Sequence, residues 1–397
     1  MAKHTGVITM ICHSAFVYSN DFNQYKFRED HPFDQLRVTL TYELLKSAGT
    51  LTDDQVIPPR MATDEEIKTV HHPNYVDAVK RAGINQLTES EALEYGIGTE
   101  DTPIFPKMHE AASLLVGGTL SAVDAVLKNG FKHAVNLGGG LHHGFVRKAS
   151  GFCVYNDAAI AIKYIRELTD YKVLYIDTDA HHGDGVQWIF YDDPNVCTLS
   201  IHETGRYLFP GTGTTNERGR LDGYGYSFNI PLDAFTEDES FIEVYKRSIK
   251  EIAEYFKPDI IITQNGADAH AYDPLTHLCS TMETYEVIPK LAHEIAHTYC
   301  DGRWIALGGG GYDMWRVVPR AWGQVWNIAA KSEILTGDLP QDWLKKWQEK
   351  SPVTLPNQWQ DTDGIYKEIP RKPEITEKNR LSLEKSLQFI TNQQKYM

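Results

Sequence analysis

Asp177, Asp179 and His181 lie at i, i+2 and i+4 in the run YIDTDAHHGDG. On an extended backbone such side chains share one face. Carboxylates with an imidazole are a donor set for a divalent metal. Asp268, in QNGADAHAYDPL, is the candidate that closes the set from a neighbouring strand end. Asp179, His181 and Asp268 then leave a position for water, the pattern of a catalytic site. His142 and His143 follow three glycines in NLGGGLHHG. An imidazole beside an activated water is a natural general base and acid. Each ring needs a partner on its far nitrogen, and Asp177 and Asp184 are the candidates. Tyr312, which ends GGGGY, offers a phenol to a carbonyl oxygen that gains charge.

Taken singly, these residues have blander readings. Asp179 could cap the helix that begins near Gly183, although Asp184 is better placed to do so. Asp268 could be a turn residue, and Tyr312 a core tyrosine. A rival motif, His293-Glu294-Ile295-Ala296-His297, matches the zinc-peptidase helix H-E-x-x-H. It needs a third ligand, yet no histidine follows His297 and the next apolar run, RWIALG, holds no acid. Neither GGGLHHG nor GGGGYD has dinucleotide-loop spacing, no phosphate-loop lysine is present, and no G-x-S-x-G elbow occurs. A pure binding or scaffold protein gives no reason for His, Asp and Tyr to gather after strands.

The elements that must position these residues are short β-branched and aromatic runs: 6–12, 133–137, 172–177, 196–201, 226–230, 259–264 and 303–308. Helix-length amphipathic stretches lie between many of them, at 107–129, 157–168, 239–256, 283–299 and 313–330. The alternation predicts an α/β fold whose parallel sheet is covered on both faces. Ligands then bind beyond the carboxyl ends of the strands. Four strands empty into glycine-bearing loops with His, Asp or Tyr, so a convergent site is expected. Residues 1–330 read as one domain. Residues 331–397 read as an appended, partly helical segment, with periodicity resuming after Glu374.

The chain has 397 residues and a net charge of −15. So acidic a balance suits neither generic nucleic-acid binding nor an anionic membrane surface. The five cysteines are scattered and form no CxxC. No apolar stretch of about 18 residues is read as a membrane span. The N-terminus lacks a leader pattern. A reducing, cytoplasmic setting is expected.

NLGGGLHHG, GFCVYNDAAIAI, YIDTDAHHGDG, FPGTGT, QNGADAHAYDPL and ALGGGGYD together resemble the histone deacetylase family in order and spacing, over roughly residues 5–330. HPFDQLR and the chain length are similar to its bacterial acetoin-utilisation branch. The resemblance implies a three-layer α/β/α arginase/deacetylase fold with a central parallel sheet of about eight strands. It implies metal-dependent removal of acetyl groups from lysine side chains, with Zn²⁺ first and Fe²⁺ as an alternative.

The same resemblance gives Asp179, His181 and Asp268 the metal. It makes His142 and His143 the tandem histidines, oriented by Asp177 and Asp184, and Tyr312 the carbonyl-polarising tyrosine. Gly151, Phe152, Phe209 and Leu275 would line a narrow tunnel. Asp101 would hold substrate backbone at the rim, and Arg37 would lie beneath the site near an acetate exit. K⁺ would bind through Asp177, Asp179, His181 and Ser200, and more peripherally around Phe190 and Val196. Leu141 stands where eukaryotic members often have Trp, and Leu275 where many have Met. The expected partner is an acetylated protein, a metabolic enzyme such as acetyl-CoA synthetase. An acetylpolyamine is the alternative substrate.

Overall fold

The apolar runs between amphipathic helices fold as their alternation requires. The structure, a computed structural model, describes residues 13–362 and 368–394. The strands are β1 (Ser14–Val17), β2 (Val56–Ile57), β3 (His133–Asn136), β4 (Val173–Asp177), β5 (Val196–Glu203), β6 (Ser227–Leu232), β7 (Ile260–Gln264) and β8 (Trp304–Leu307). All pair in parallel, in the order β2-β1-β3-β8-β7-β4-β5-β6. Six of the seven apolar runs are strands. The seventh, 6–12, lies outside the described residues.

The helices in chain order are α1 (Leu36–Ser47), α2 (Asp64–Lys68), α3 (Pro73–Gly83), α4 (Glu89–Glu94), α5 (Met108–Lys128) and α6 (Asp157–Leu168). After them come α7 (Asp184–Ile189), α8 (Asp238–Phe256), α9 (Met282–Tyr299), α10 (Val318–Lys331), α11 (Gln341–Gln348) and α12 (Lys372–Gln394). They form two layers. One packs α1, α10, α9, α8 and α12 in series; the other joins α3, α5, α6 and α7. α10 starts five residues later than its periodicity suggests. Asp313 instead binds the Arg316 amide and guanidinium, and Pro319 occupies the first turn.

Contrary to the reading of no long apolar stretch, α5 is long and apolar enough to cross a membrane, alone among the described residues. Its most apolar window is 78% buried within the fold, between the sheet and its neighbouring helices, which accounts for the composition.

Strand order explains the site. The four strands that end in glycine-bearing loops, β3, β8, β7 and β4, are consecutive neighbours in the sheet although far apart in sequence. Their carboxyl ends therefore open into one region.

The C-terminal segment is packed onto the sheet's far edge. α12 lies against β6 and α8 and buries Leu383, Leu387 and Ile390. Its Asn379 is fully buried, accepts from the Asp233 amide at 2.9 Å and donates to Thr236 and Ser240. Leu387→Ala should cost about 2–5 kcal/mol, the range for emptying a packed leucine site. A lower urea midpoint at unchanged m-value would show it; an unchanged midpoint would mean that α12 contributes nothing to the fold.

Candidate active site

β4 ends at Asp177, so strand alternation does not carry the face through His181. The chain turns instead. Asp177 accepts from the Asp179 amide at 3.1 Å, and Asp179 accepts from the His181 amide at 3.0 Å. Each aspartate binds the backbone two residues on, the turn that Asp side chains favour. This splits the three residues. Asp177 turns to His142, with Nδ1 2.7 Å from Oδ2, and accepts from Tyr175 at 2.8 Å. Asp179 and His181 turn to Asp268.

His181 Nδ1 lies 3.0 Å from Asp179 and 2.9 Å from Asp268. One ligand atom from each of the three falls within 4.8 Å of the others, and all are buried. The second carboxylate oxygens are held too. Asp179 accepts from Gln264 and the Gly310 amide, both at 2.6 Å, and Asp268 accepts from the Ala180 amide at 2.8 Å. A Cβ on Gly310 would stand 2.1 Å from an Asp268 oxygen, so only glycine lets the β8 loop come this close. Burial and the neighbouring Asp179 push the Asp268 carboxyl up to about 7. Two buried carboxylates crowded together call for positive charge, and with an imidazole they fit a divalent cation.

The two histidines differ electrostatically. Burial opposes charge on His142, but Asp177 and Asp179 raise its pKa to about 9. His143 Nδ1 lies 2.6 Å from Asp184, which is itself anchored to the Gly185 amide at the start of α7. Burial and the charge on His142 nevertheless lower the His143 pKa. At neutral pH the pair holds one imidazolium, His142, and one imidazole, His143. Burial, with Asp268 and Asp179 nearby, raises the Tyr312 phenol well above its usual value, so it remains a donor.

Phe209 stands edge-on to His143 with centroids 5.1 Å apart, and Phe152 edge-on to Tyr312 at 5.7 Å. Gly151 packs against His143 at a φ of +51°, where a Cβ would lie 2.3 Å from the ring. Asp101 is not a free rim acid: one oxygen accepts from the Gly151 amide at 2.7 Å. Leu275 donates its amide to Asp273, whose other oxygen accepts from the Tyr312 amide. Arg37 is buried, donates to the Gly311 carbonyl at 3.0 Å and lies against Phe33 and Trp322. Its Nε and Nη2 meet no acceptor among the described residues.

Ser200 pairs in register with Asp177 and lies 3.3 Å from the Gly183 amide. Phe190 follows α7 and Val196 begins β5, so both sit at the opposite end of that strand from Ser200.

Four supporting residues escaped the sequence reading. Asp157 accepts from the Gly140 and Leu141 amides and from Thr119, and so shapes the loop before the histidines. Gln264, Tyr175 and Asp273 brace Asp179, Asp177 and Tyr312. All four lie within the motifs quoted above, Asp157 in GFCVYNDAAIAI, Tyr175 in YIDTDAHHGDG, and Gln264 and Asp273 in QNGADAHAYDPL, which is the signal the sequence offers for them. His293 and His297 lie elsewhere, beside His133, which precedes them in sequence. Glu294 is exposed.

The family model for the histone deacetylase domain matches residues 31–329. The acetoin utilization protein AcuC of Bacillus subtilis (strain 168) is 59% identical over 96% of this chain and 98% of its own length. The protein of that name from Staphylococcus xylosus is 45% identical over 95% and 98%. Among solved structures, a histone deacetylase homolog complexed with SAHA superimposes with a TM-score of 0.82 at 27% identity, covering 93% of this chain and 99% of that one.

Asp268→Ala should remove the divalent ion from the cluster at β4 and β7, since no other side chain among the three described ligands replaces its oxygen. Metal analysis of the purified variant after desalting, beside wild type, checks this; undiminished metal content would exclude the cluster as the site.

Proposed function

This chain belongs to the histone deacetylase family, and on that premise we propose that it hydrolyses acetyl-lysine side chains of proteins to lysine and acetate. The observation that carries the reading is the unequal pair of histidine–aspartate contacts facing a phenol across a buried Asp-His-Asp cluster. A divalent ion held by Asp179, His181 and Asp268, Zn²⁺ first and Fe²⁺ as the alternative, would supply Lewis acidity toward the amide carbonyl and the attacking water.

The chain's own residues do the rest. Phe152 and Phe209 flank the lysine methylenes and keep bulk water away. His143, neutral and held by Asp184, takes a proton from the water and returns one to the departing lysine amine. His142, positive and fixed by Asp177, stabilises negative charge as it develops. Tyr312 donates its phenolic hydrogen to the carbonyl oxygen as that oxygen becomes negative. Arg37 offers its unmatched N–H groups to the acetate product. K⁺ near Asp177 and Ser200, and around Phe190 and Val196, would be structural.

The likeness to acetoin utilization proteins favours a metabolic enzyme, such as acetyl-CoA synthetase, as target in a cytoplasmic setting. This step rests on family analogy.

Tyr312→Phe removes one oxyanion donor and should lower kcat by about 10²–10³ with metal content unchanged. A variant that keeps more than half of wild-type turnover would remove Tyr312 from the mechanism.

The pH profile should be bell-shaped. Falling pH protonates His143, whose pKa is lowered, and removes the base; rising pH through about 9 discharges His142. Rates of kcat/KM that stay flat from mildly acidic to strongly alkaline solution would contradict both roles.

Acetyl-lysine peptides should be turned over with higher kcat/KM than acetylspermidine or acetylputrescine. A preference for the polyamines, with peptides untouched, would replace the protein substrate while leaving the hydrolysis standing.

A further inference from the structure

β3 carries the tandem-histidine loop at its carboxyl end and another histidine at its beginning. His133 is its first residue and is fully buried. His293 and His297 are one turn apart on α9, so both rings leave the same helix face. Their centroids lie 4.4 Å apart, and the His133 ring stands 4.9 Å and 5.2 Å from them. A ring nitrogen from each of the three lies within 4.8 Å of the others.

On His133 the hydrogen bonding fixes which nitrogen is available, while His293 Nε2 lies 3.2 Å from the Ser332 hydroxyl. His133 Nδ1 lies 2.7 Å from the Ala329 carbonyl, which can only accept, so the proton sits on Nδ1 and Nε2 carries a lone pair. Metal-bound imidazoles are commonly oriented in this way, by a carbonyl on the far nitrogen. His133 Nε2 is 3.2 Å from His297 Nε2. Two nitrogens at about 2.0–2.1 Å from a tetrahedral ion stand about 3.3–3.4 Å apart, so this pair already has nearly the separation of two ligands.

The surroundings keep the rings uncharged. Burial and the neighbouring His293 hold His133 at about 3; burial and His297 hold His293 at about 4. Burial and Lys132 lower His297. Little proton displacement would oppose binding at neutral pH. Lys132, which also disfavours positive charge here, is itself engaged by the Asp301 carboxylate at 2.8 Å. Trp304 lies edge-on to both His133 and His293 and restrains their rings.

We propose that His133, His293 and His297 bind a second divalent ion of the imidazole-preferring class, Zn²⁺ foremost, that fastens α9 to the start of β3. Three neutral imidazoles suit zinc, copper and nickel rather than magnesium or calcium. The role is structural. Glu294, the residue that would serve as base in a peptidase, is exposed and adjacent in sequence to His293, so it does not share the ligand face. The ion would lie at the amino end of β3, the opposite end of that strand from the tandem-histidine loop, held by ligands 160 or more residues apart in the chain, as the His133–His297 separation of 164 shows.

The test is zinc titration of the metal-free, full-length protein, with zinc content measured after desalting. Wild type, His293→Gln, His297→Gln, Asp268→Ala and the double variant Asp268→Ala/His297→Gln are compared. Wild type should retain two zinc ions per chain. Each histidine variant should retain one, with acetyl-peptide turnover kept. Asp268→Ala should also retain one, with turnover lost, and its thermal midpoint should rise on zinc addition. That rise should disappear in the double variant. One zinc in wild type with none in Asp268→Ala would overturn the proposal, leaving a histidine cluster held only by hydrogen bonds. So would a second zinc that persists in both histidine variants, because it would lie elsewhere. Should no variant, nor wild type, hydrolyse acetyl-lysine, the deacetylase reading fails separately, while the zinc retained by Asp268→Ala still decides this one.

Discussion

The site is organised around one electrostatic constraint: Asp177, Asp179, Asp184 and Asp268 are all buried within one small region. Carboxylates taken out of water are costly unless hydrogen bonds and positive charge compensate them. Backbone amides of residues 179, 180, 181, 185 and 310 supply part of the compensation. His142 supplies a full charge, and a cation at Asp179, His181 and Asp268 would supply the remainder. The parallel sheet makes this arrangement accessible. At its carboxyl edge four neighbouring strands end together, and their loops turn amides inward while glycine removes the side chains that would obstruct them.

From the same constraint follows the division of labour between adjacent histidines. His142 faces both Asp177 and Asp179, so its charge is retained. His143 faces Asp184 alone while His142 stands beside it, with ring centroids 4.0 Å apart. One positive ring then disfavours a second. Two residues identical in type and consecutive in sequence come to hold different protonation states through the carboxylates they meet. That is the condition a base needs next to a fixed positive charge.

The parts of the site legible in the sequence were those whose information is local. Glycines, an Asp or His, and a preceding apolar run sit within a dozen residues at each of β3, β4, β7 and β8, so post-strand position alone singled them out. The family resemblance then joined the loops. What stayed hidden depends on long-range packing. β2, at two residues, is too short to announce itself, and β1 (Ser14–Val17) lies just beyond the apolar run 6–12 that stands out in its place. The face shared by Asp177, Asp179 and His181 was inferred from a strand that stops at Asp177, and turn chemistry, rather than alternation, arranges them. The bond from Gly151 to Asp101 is equally hidden, because the two residues are 50 positions apart and nothing around Asp101 points to Gly151. His133 is hidden as a companion to HEIAH for the same reason, because it lies 164 residues before His297.

The Asp101–Gly151 bond links an acid on the loop before α5 to the wall beside His143. Gly151 packs on the His143 ring, and Phe152 after it stands against Tyr312. Phe152 is held at a φ of +66°, a left-handed conformation disfavoured for a residue with a side chain. Tyr25 helps to hold this turn, donating to the Phe152 carbonyl at 2.6 Å and accepting from the Val154 amide. Asp101 holds the same turn through the Gly151 amide. In the proposed reaction this carboxylate would share its charge between an incoming backbone and the wall beside His143. Under the proposed function, a peptide that drew on Asp101 would act on the same turn that carries Phe152 and sets Gly151 against His143.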